Sequence, residues 1–282
     1  MHHLILGYGY CGYFLAQELI KQGEEEITVL SRHANKEYFL PQVMHQIQDS
    51  TQAFSWTKED TTLYYLIPPP AQEEKDTLLE QVLKNPIKVK KVVYFGSSGV
   101  YGNHQGQLVN EEALCSMQHP RQLSRLDAEQ QWIEYSQHHN TELSLLRIGG
   151  IFGPQRLPIE AAKKQTALIE PQQAPLINYI YVRDLARIAS LLPRIERPYQ
   201  LWNIADGCPQ TMGTLQLLVA KQLNLPPAPY ESWDLAWQKA SAMKKEFMAS
   251  SKCLDIHRLR SHLPPSFSFT PLEEAIQQSL SS

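Results

Sequence analysis

Six residues near the start of the chain, Gly7-Tyr8-Gly9-Tyr10-Cys11-Gly12, have the G-x-G-x-x-G spacing that can cradle a pyrophosphate. In such a turn Gly7 makes the tight bend and Gly9 lets phosphates approach the backbone. Gly12 lets the following helix pack close against the strand. Tyr8, Tyr10 and Cys11 complete the candidate cofactor-binding turn, and the helix N-terminus adds amide donors and a positive dipole end. A glycine-rich turn with no ligand is the plain alternative. Context favours the ligand. The apolar run 4–6 precedes the turn, and Ala16, Leu19 and Ile20 share a helical face with Gly12. Gly23 stands where the helix would stop, and a second strand follows at 27–30.

The choice of dinucleotide is made just after that second strand. An NAD site places Asp or Glu there to accept from the ribose hydroxyls. This chain has Ser31-Arg32-His33 instead, and no acid between Leu30 and Lys36. An acid would repel a 2′-phosphate, whereas Arg32 can pair with it in a charge-assisted, bidentate way. NADP is therefore expected ahead of NAD. Ile67 and Pro68, after the strand 62–67, are expected to border the adenosine side of the cofactor.

Those residues must be positioned by alternating elements. Strands are expected at 4–6, 27–30, 43–47, 62–67, 92–95 and 143–148, with helices at 73–83 and 123–137 between them. Beyond Gly153 prolines are frequent and the pattern loosens, with helices expected at 182–192, 214–223 and 233–249. The fold class that follows is α/β, a Rossmann-type doubly wound parallel sheet with a smaller, mixed C-terminal region. The expected division is 1–153 for the NAD(P)-binding domain and 154–282 for a substrate-binding region partly interleaved with the sheet.

Composition excludes several other classes. The 282 residues carry 26 Lys+Arg against 29 Asp+Glu, so the net charge of −3 gives no electrostatic case for a nucleic-acid partner or an anionic membrane. At 43% apolar residues the chain can build a core. No apolar run is long enough for a membrane span or a signal peptide. Cys11, Cys115, Cys208 and Cys253 form no C-x-x-C pair, which fits a reducing compartment, and a cytoplasmic protein is expected. The histidines show no metal spacing: His138 and His139 are adjacent and cannot share a helix face, so no metal is expected.

Three further motifs complete a pattern. They are Ser97-Ser98-Gly99-Val100-Tyr101-Gly102, Arg147-Ile148-Gly149-Gly150-Ile151-Phe152-Gly153-Pro154, and Tyr179-Ile180-Tyr181-Val182-Arg183-Asp184-Leu185-Ala186. Together with the glycine turn, and with Leu201-Trp202-Asn203-Ile204 as a late strand, the chain resembles the NAD-dependent epimerase/dehydratase family. These are extended short-chain dehydrogenases/reductases that act largely on nucleotide sugars. The glycine spacing is similar to that of the family's atypical members. The resemblance implies an oxidoreductase or epimerase/dehydratase on a hydroxyl-bearing substrate, with a nucleotide sugar as one option. It places Ser97 at the hydroxyl that hydrogen-bonds the reacting oxygen, with Ser98 beside it on the substrate.

The family's Tyr-x-x-x-Lys pair is missing. Aligned on Ala128-Glu129, the tyrosine position is Arg121 and the lysine position is Arg125, while Ser124 keeps the pattern. A guanidinium stays charged and cannot relay a proton. Tyr101 is the nearest phenol in the Ser97 loop and the alternative acid/base, although a tyrosine there is also part of the family's structural pattern. Arg125 could instead serve the cofactor phosphates, and Arg121 and Arg156 an anionic substrate. Asp184 reads better as a helix cap than as chemistry, and Arg147 as either a ligand contact or an ion pair. The absent pair keeps a second class open: a non-catalytic NADP-binding regulatory or sensor protein. Amphipathic helices of this fold often pair across a two-fold, which leaves a homodimer open.

Overall fold

The computed structural model describes residues 1–195 and 197–281. Its centre is a sheet of seven strands whose neighbours all pair in parallel. In chain order they are β1 (His2–Leu6), β2 (Ile27–Ser31), β3 (Met44–Ile47), β4 (Thr61–Tyr65), β5 (Lys91–Phe95), β6 (Glu142–Ile148) and β7 (Tyr199–Ile204). Across the sheet the order is β7-β6-β5-β4-β1-β2-β3. The chain winds outward from β1 to β3 and then restarts at β4 on the other side. The crevice between β1 and β4 is thus the switch point at which such sheets take ligands.

Strand periodicity divides the core into two layers. Ile5, Val29, Val93, Leu146 and Trp202 face one side, where they meet Leu15 and Leu19 of helix α1 (Tyr10–Lys21). Leu4, Leu63, Tyr65, Val92 and Tyr94 face the other, against α2 (Thr77–Leu83) and α3 (Pro120–His139). The second half of the chain adds α4 (Ile159–Lys163), α5 (Val182–Leu191), α6 (Thr214–Gln222), α7 (Trp233–Lys239), α8 (Ala242–Met248), α9 (His257–His262) and α10 (Leu272–Leu280). Leu185 and Ile188 of α5 join the α1 layer, and β7 forms the sheet's edge beside β6. The strand β7, inside the region expected to bind substrate, is therefore part of the same sheet. No helix among the described residues is long and apolar enough to cross a membrane.

Two expected helices differ from those observed. The one expected over 73–83 starts at Thr77, because the Asp76 carboxylate accepts from Leu79 N at 3.0 Å and caps it. The one expected over 233–249 is two helices. Ala240 is extended, at φ −73° and ψ 138°, and Ser241 starts α8 by accepting from Lys244 N. A serine inside an apparently continuous helical pattern is a second cap.

Asp76 is fully buried, its second carboxylate oxygen has no hydrogen-bond partner, and burial pushes its pKa up to about 6. In the unfolded chain the group titrates near ~3.9. Between these values the native state holds a proton that the unfolded chain has lost, so stability falls as pH rises from about 4 to about 6. Asp76→Asn, which still offers an oxygen to Leu79 N, is expected to remove that slope and raise the melting temperature at pH 7 more than at pH 4. Thermal melts of both proteins across that range check it.

Candidate functional site

Gly7 follows β1 with φ +85°, and a Cβ there would lie 2.8 Å from the Ile67 backbone nitrogen. Only glycine allows β1 and the chain after β4 to come this close at the switch point. Gly9 is the N-cap of α1 and supplies no capping side chain. The first-turn amides of α1 are left to a ligand. A Cβ on Gly9 would meet nothing within 4 Å, so the space above the turn is open, as a pyrophosphate requires. Gly12 holds α1 against the sheet, since its Cβ would lie 3.0 Å from the Tyr8 ring and 3.4 Å from Ile5. These residues fit a dinucleotide.

The flanking side chains take different roles. Tyr8 turns away and donates its hydroxyl to Tyr38 O at 2.8 Å. Tyr10 is buried with its hydroxyl unpaired, and the Arg156 guanidinium lies 4.0 Å over its ring. Burial pushes the Cys11 thiol up to about 11, which keeps it protonated. At the end of β2, Ser31 Oγ donates to His33 O at 2.8 Å. Arg32 is exposed and forms no ion pair among the described residues; Asp49 is the carboxylate near enough to feel its charge.

Gly7, Gly9, Tyr10, Cys11 and Pro68 line one end of a cavity of about 600 Å³. Its walls also hold Ser97, Ser98, Arg121, Arg125 and Arg156, so most of the expected site residues come together. Tyr8, Gly12, Ser31, Arg32 and Ile67 stand outside that lining. Ser97 follows β5 and caps the 3-10 turn Ser98–Tyr101, its Oγ accepting from Gly99 N at 3.1 Å. Accepting leaves the hydroxyl proton free to be donated.

The structure does not bring Tyr101 to the cavity, which corrects its place as an alternative acid/base. The ring is fully buried, its hydroxyl donates to Asn203 Oδ1 at 2.7 Å, and Arg147 stacks 4.6 Å over it. Burial raises its pKa to about 12. Arg147 is in turn locked to Glu129 by a bidentate pair at 2.8 and 3.1 Å, so it serves the core. Asp184 accepts from Thr270 N at 2.7 Å and pairs with Arg187, tying the C-terminal segment to α5.

Charge distinguishes the cavity. Arg121, Arg125, Arg156 and Lys252 line it with a single carboxylate, Glu246. None of the four cations is in a salt bridge among the described residues. Burial lowers the Arg125 pKa, with the neighbouring Arg121 charge acting in the same direction, yet a guanidinium remains charged. Lys252 and Asn178 were not foreseen. Asn178 lies on the loop after the strand 176–177 and Lys252 just ahead of a two-residue strand, where no spacing marks either as a site residue. No group of His, Cys, Asp and Glu among the described residues could hold a metal ion.

Residues 73–205 match the NAD dependent epimerase/dehydratase family model. No curated protein matches the sequence. Among solved structures, a functionally unknown conserved protein from Silicibacter pomeroyi is similar at 23% identity and a TM-score of 0.81, over 99% of this chain and 98% of that one. UDP-glucose 4-epimerase from Thermotoga maritima, solved with UDP-glucose, is similar at 16% identity and a TM-score of 0.75, over 100% and 98%. The Thermus thermophilus UDP-glucose 4-epimerase, solved in complex with NAD, is similar at 18% identity and a TM-score of 0.75, over 100% and 98%. At these identities the likeness is one of fold. The matched segment 73–205 and the fold agree in making the chain similar to the NAD-dependent epimerase/dehydratase family.

Proposed function

We propose that the chain is an NADP-preferring oxidoreductase or epimerase/dehydratase acting on a hydroxyl-bearing substrate that carries negative charge. A nucleotide sugar fits that description. One observation carries the reading: the glycine cradle, the Ser97 hydroxyl and four unpaired cations share one cavity. The α1 amides and Gly9 would hold the pyrophosphate, with Pro68 beside the nucleotide and Arg32 at the 2′-phosphate. The dinucleotide, when bound, supplies the hydride acceptor or donor. Ser97 would donate its free proton to the substrate oxygen as charge develops there. Arg121 and Arg156 would neutralise the substrate's anionic group, and Arg125 the cofactor's phosphates.

The replacement of the Tyr-x-x-x-Lys pair favours a second reading, a non-catalytic NADP-binding sensor. Both readings share the cofactor, and turnover separates them. A hydride exchange that falls by about 100-fold in Ser97→Ala, with cofactor affinity intact, supports the enzyme. No turnover on any anionic hydroxyl substrate under saturating NADP leaves the sensor.

Calorimetric titration of the cofactor-stripped chain is expected to show NADPH binding at least tenfold tighter than NADH, ~1.4 kcal/mol. Arg32→Ala should erase that preference. Gly9→Val should abolish binding of both, because its side chain enters the open space above the turn while touching nothing in the fold. If neither dinucleotide binds the parent chain, the reading fails. Tyr101→Phe is expected to leave turnover unchanged and to cost about 1–3 kcal/mol of stability, because Asn203 Oδ1 loses its donor. Loss of turnover in a folded Tyr101→Phe variant would restore that tyrosine to the chemistry.

A further inference from the structure

Lys252 is only 5% exposed, yet it lines the cavity. It is placed by Asn178, whose Nδ2 donates to Lys252 O at 2.9 Å while its Oδ1 accepts from Leu254 N at 2.8 Å. The side-chain amide thus acts as a strand partner for residues 252–254, and Leu254 continues in parallel beside Val109. The Lys252 Nζ donates to Gly102 O at 2.9 Å and to Ser250 Oγ at 2.6 Å. Both acceptors are neutral, and no carboxylate pairs with the amine among the described residues. Two of its positions are filled, and the third is the one that can gain or lose a proton.

Gly102 closes the short 3-10 turn that Ser97 caps at its start. The Ser97 hydroxyl and the Lys252 amine therefore hold the two ends of one turn, and both line the same cavity. The charged and titratable groups that share this cavity are Glu246 on α8, Arg121 and Arg125 on α3, Arg156, and Tyr10 and Cys11 of the glycine turn, with His104 nearby, its ring bonding Tyr101 O. Burial is the sole cause of the shift that brings the amine down to about 8, within reach of physiological pH.

We infer that Lys252 is the proton-exchanging residue of this cavity, handling the substrate hydroxyl proton that Arg121 and Arg125 cannot. The inference rests on the oxidoreductase reading above. The step balances: the alcohol gives its hydroxyl proton to the Nζ lone pair and its hydride to an oxidised nicotinamide dinucleotide, leaving a carbonyl and an ammonium. The reverse step returns both. A buried amine without a carboxylate partner is poised for this exchange, whereas an ion-paired lysine would stay charged.

Trace acetylation of the full chain with acetic anhydride across pH 6 to 11, read by peptide mass spectrometry, tests the amine without relying on activity. Labelling of Lys252 is expected to reach half its maximum near pH 8, against ~10.4 for surface lysines. An ordinary midpoint overturns the inference and leaves the cofactor reading standing, since that is settled separately by dinucleotide binding. Lys252→Met and Lys252→Arg should each lose about 100-fold or more in turnover while NADPH affinity holds. Arginine keeps the charge but cannot exchange the proton. Rescue by Lys252→Arg would therefore make Lys252 an anion contact and overturn the inference. A parent chain that shows no turnover but labels near pH 8 would overturn the enzyme reading, and this inference with it. Lys252→Met is expected to fold, because Ser250 Oγ still donates to Gly102 O.

Discussion

A helix that starts on a glycine has no side chain to satisfy its first amides, and the site is organised around that deficit. In α1 the deficit is fixed in place by two close approaches. Gly7 lets the backbone after β1 touch the backbone after β4, and Gly12 lets the helix settle onto the Tyr8 ring and Ile5. The unsatisfied amides are thereby held at the switch point of the sheet, where the strand order reverses. Several other parts of the cavity wall arrive at the carboxyl end of a strand or on the loops beyond it, while Arg121 and Arg125 come from α3 and Glu246 from α8. Ser97 follows β5, Gly149 follows β6, and Arg156 lies on the loop before α4.

The second organising feature is charge that the chain does not neutralise. Elsewhere buried carboxylates are paired with arginines: Arg147 grips Glu129, and Arg187 meets Asp184, Asp76 being an exception. The cavity departs from that rule, with four cations and one carboxylate. An unpaired buried cation is costly, so a protein keeps one where a ligand supplies the counter-charge or where a proton must move. Arg125 and Lys252 stand on opposite walls of that choice. The first cannot lose its proton, and the second is brought near neutrality by burial alone.

Much of the fold was legible because its signals are local. The glycine turn, the apolar runs of the strands and the arginine pair at 121 and 125 are all readable over a few residues. Two helix boundaries were misjudged where a polar side chain, Asp76 or Ser241, caps a start inside an otherwise helical pattern. The roles of Tyr101 and Lys252 were not legible, because each depends on a partner about 75 to 150 residues away. Asn203 draws the Tyr101 hydroxyl into the core, while Asn178 and Gly102 fix Lys252. A phenol near the Ser97 turn and a lysine near a short strand look alike to any rule that reads spacing. Burial and hydrogen-bond partners reverse their importance.

The central claim is that dinucleotide binding at the glycine turn and substrate chemistry at Ser97 belong to one cavity. Hydrogen–deuterium exchange of the full chain, with and without saturating NADPH, tests it most directly. The account predicts slowed exchange in two segments together, the α1 start at 9–13 and the turn at 96–102. No protection at the α1 start with NADPH or NADH would contradict it.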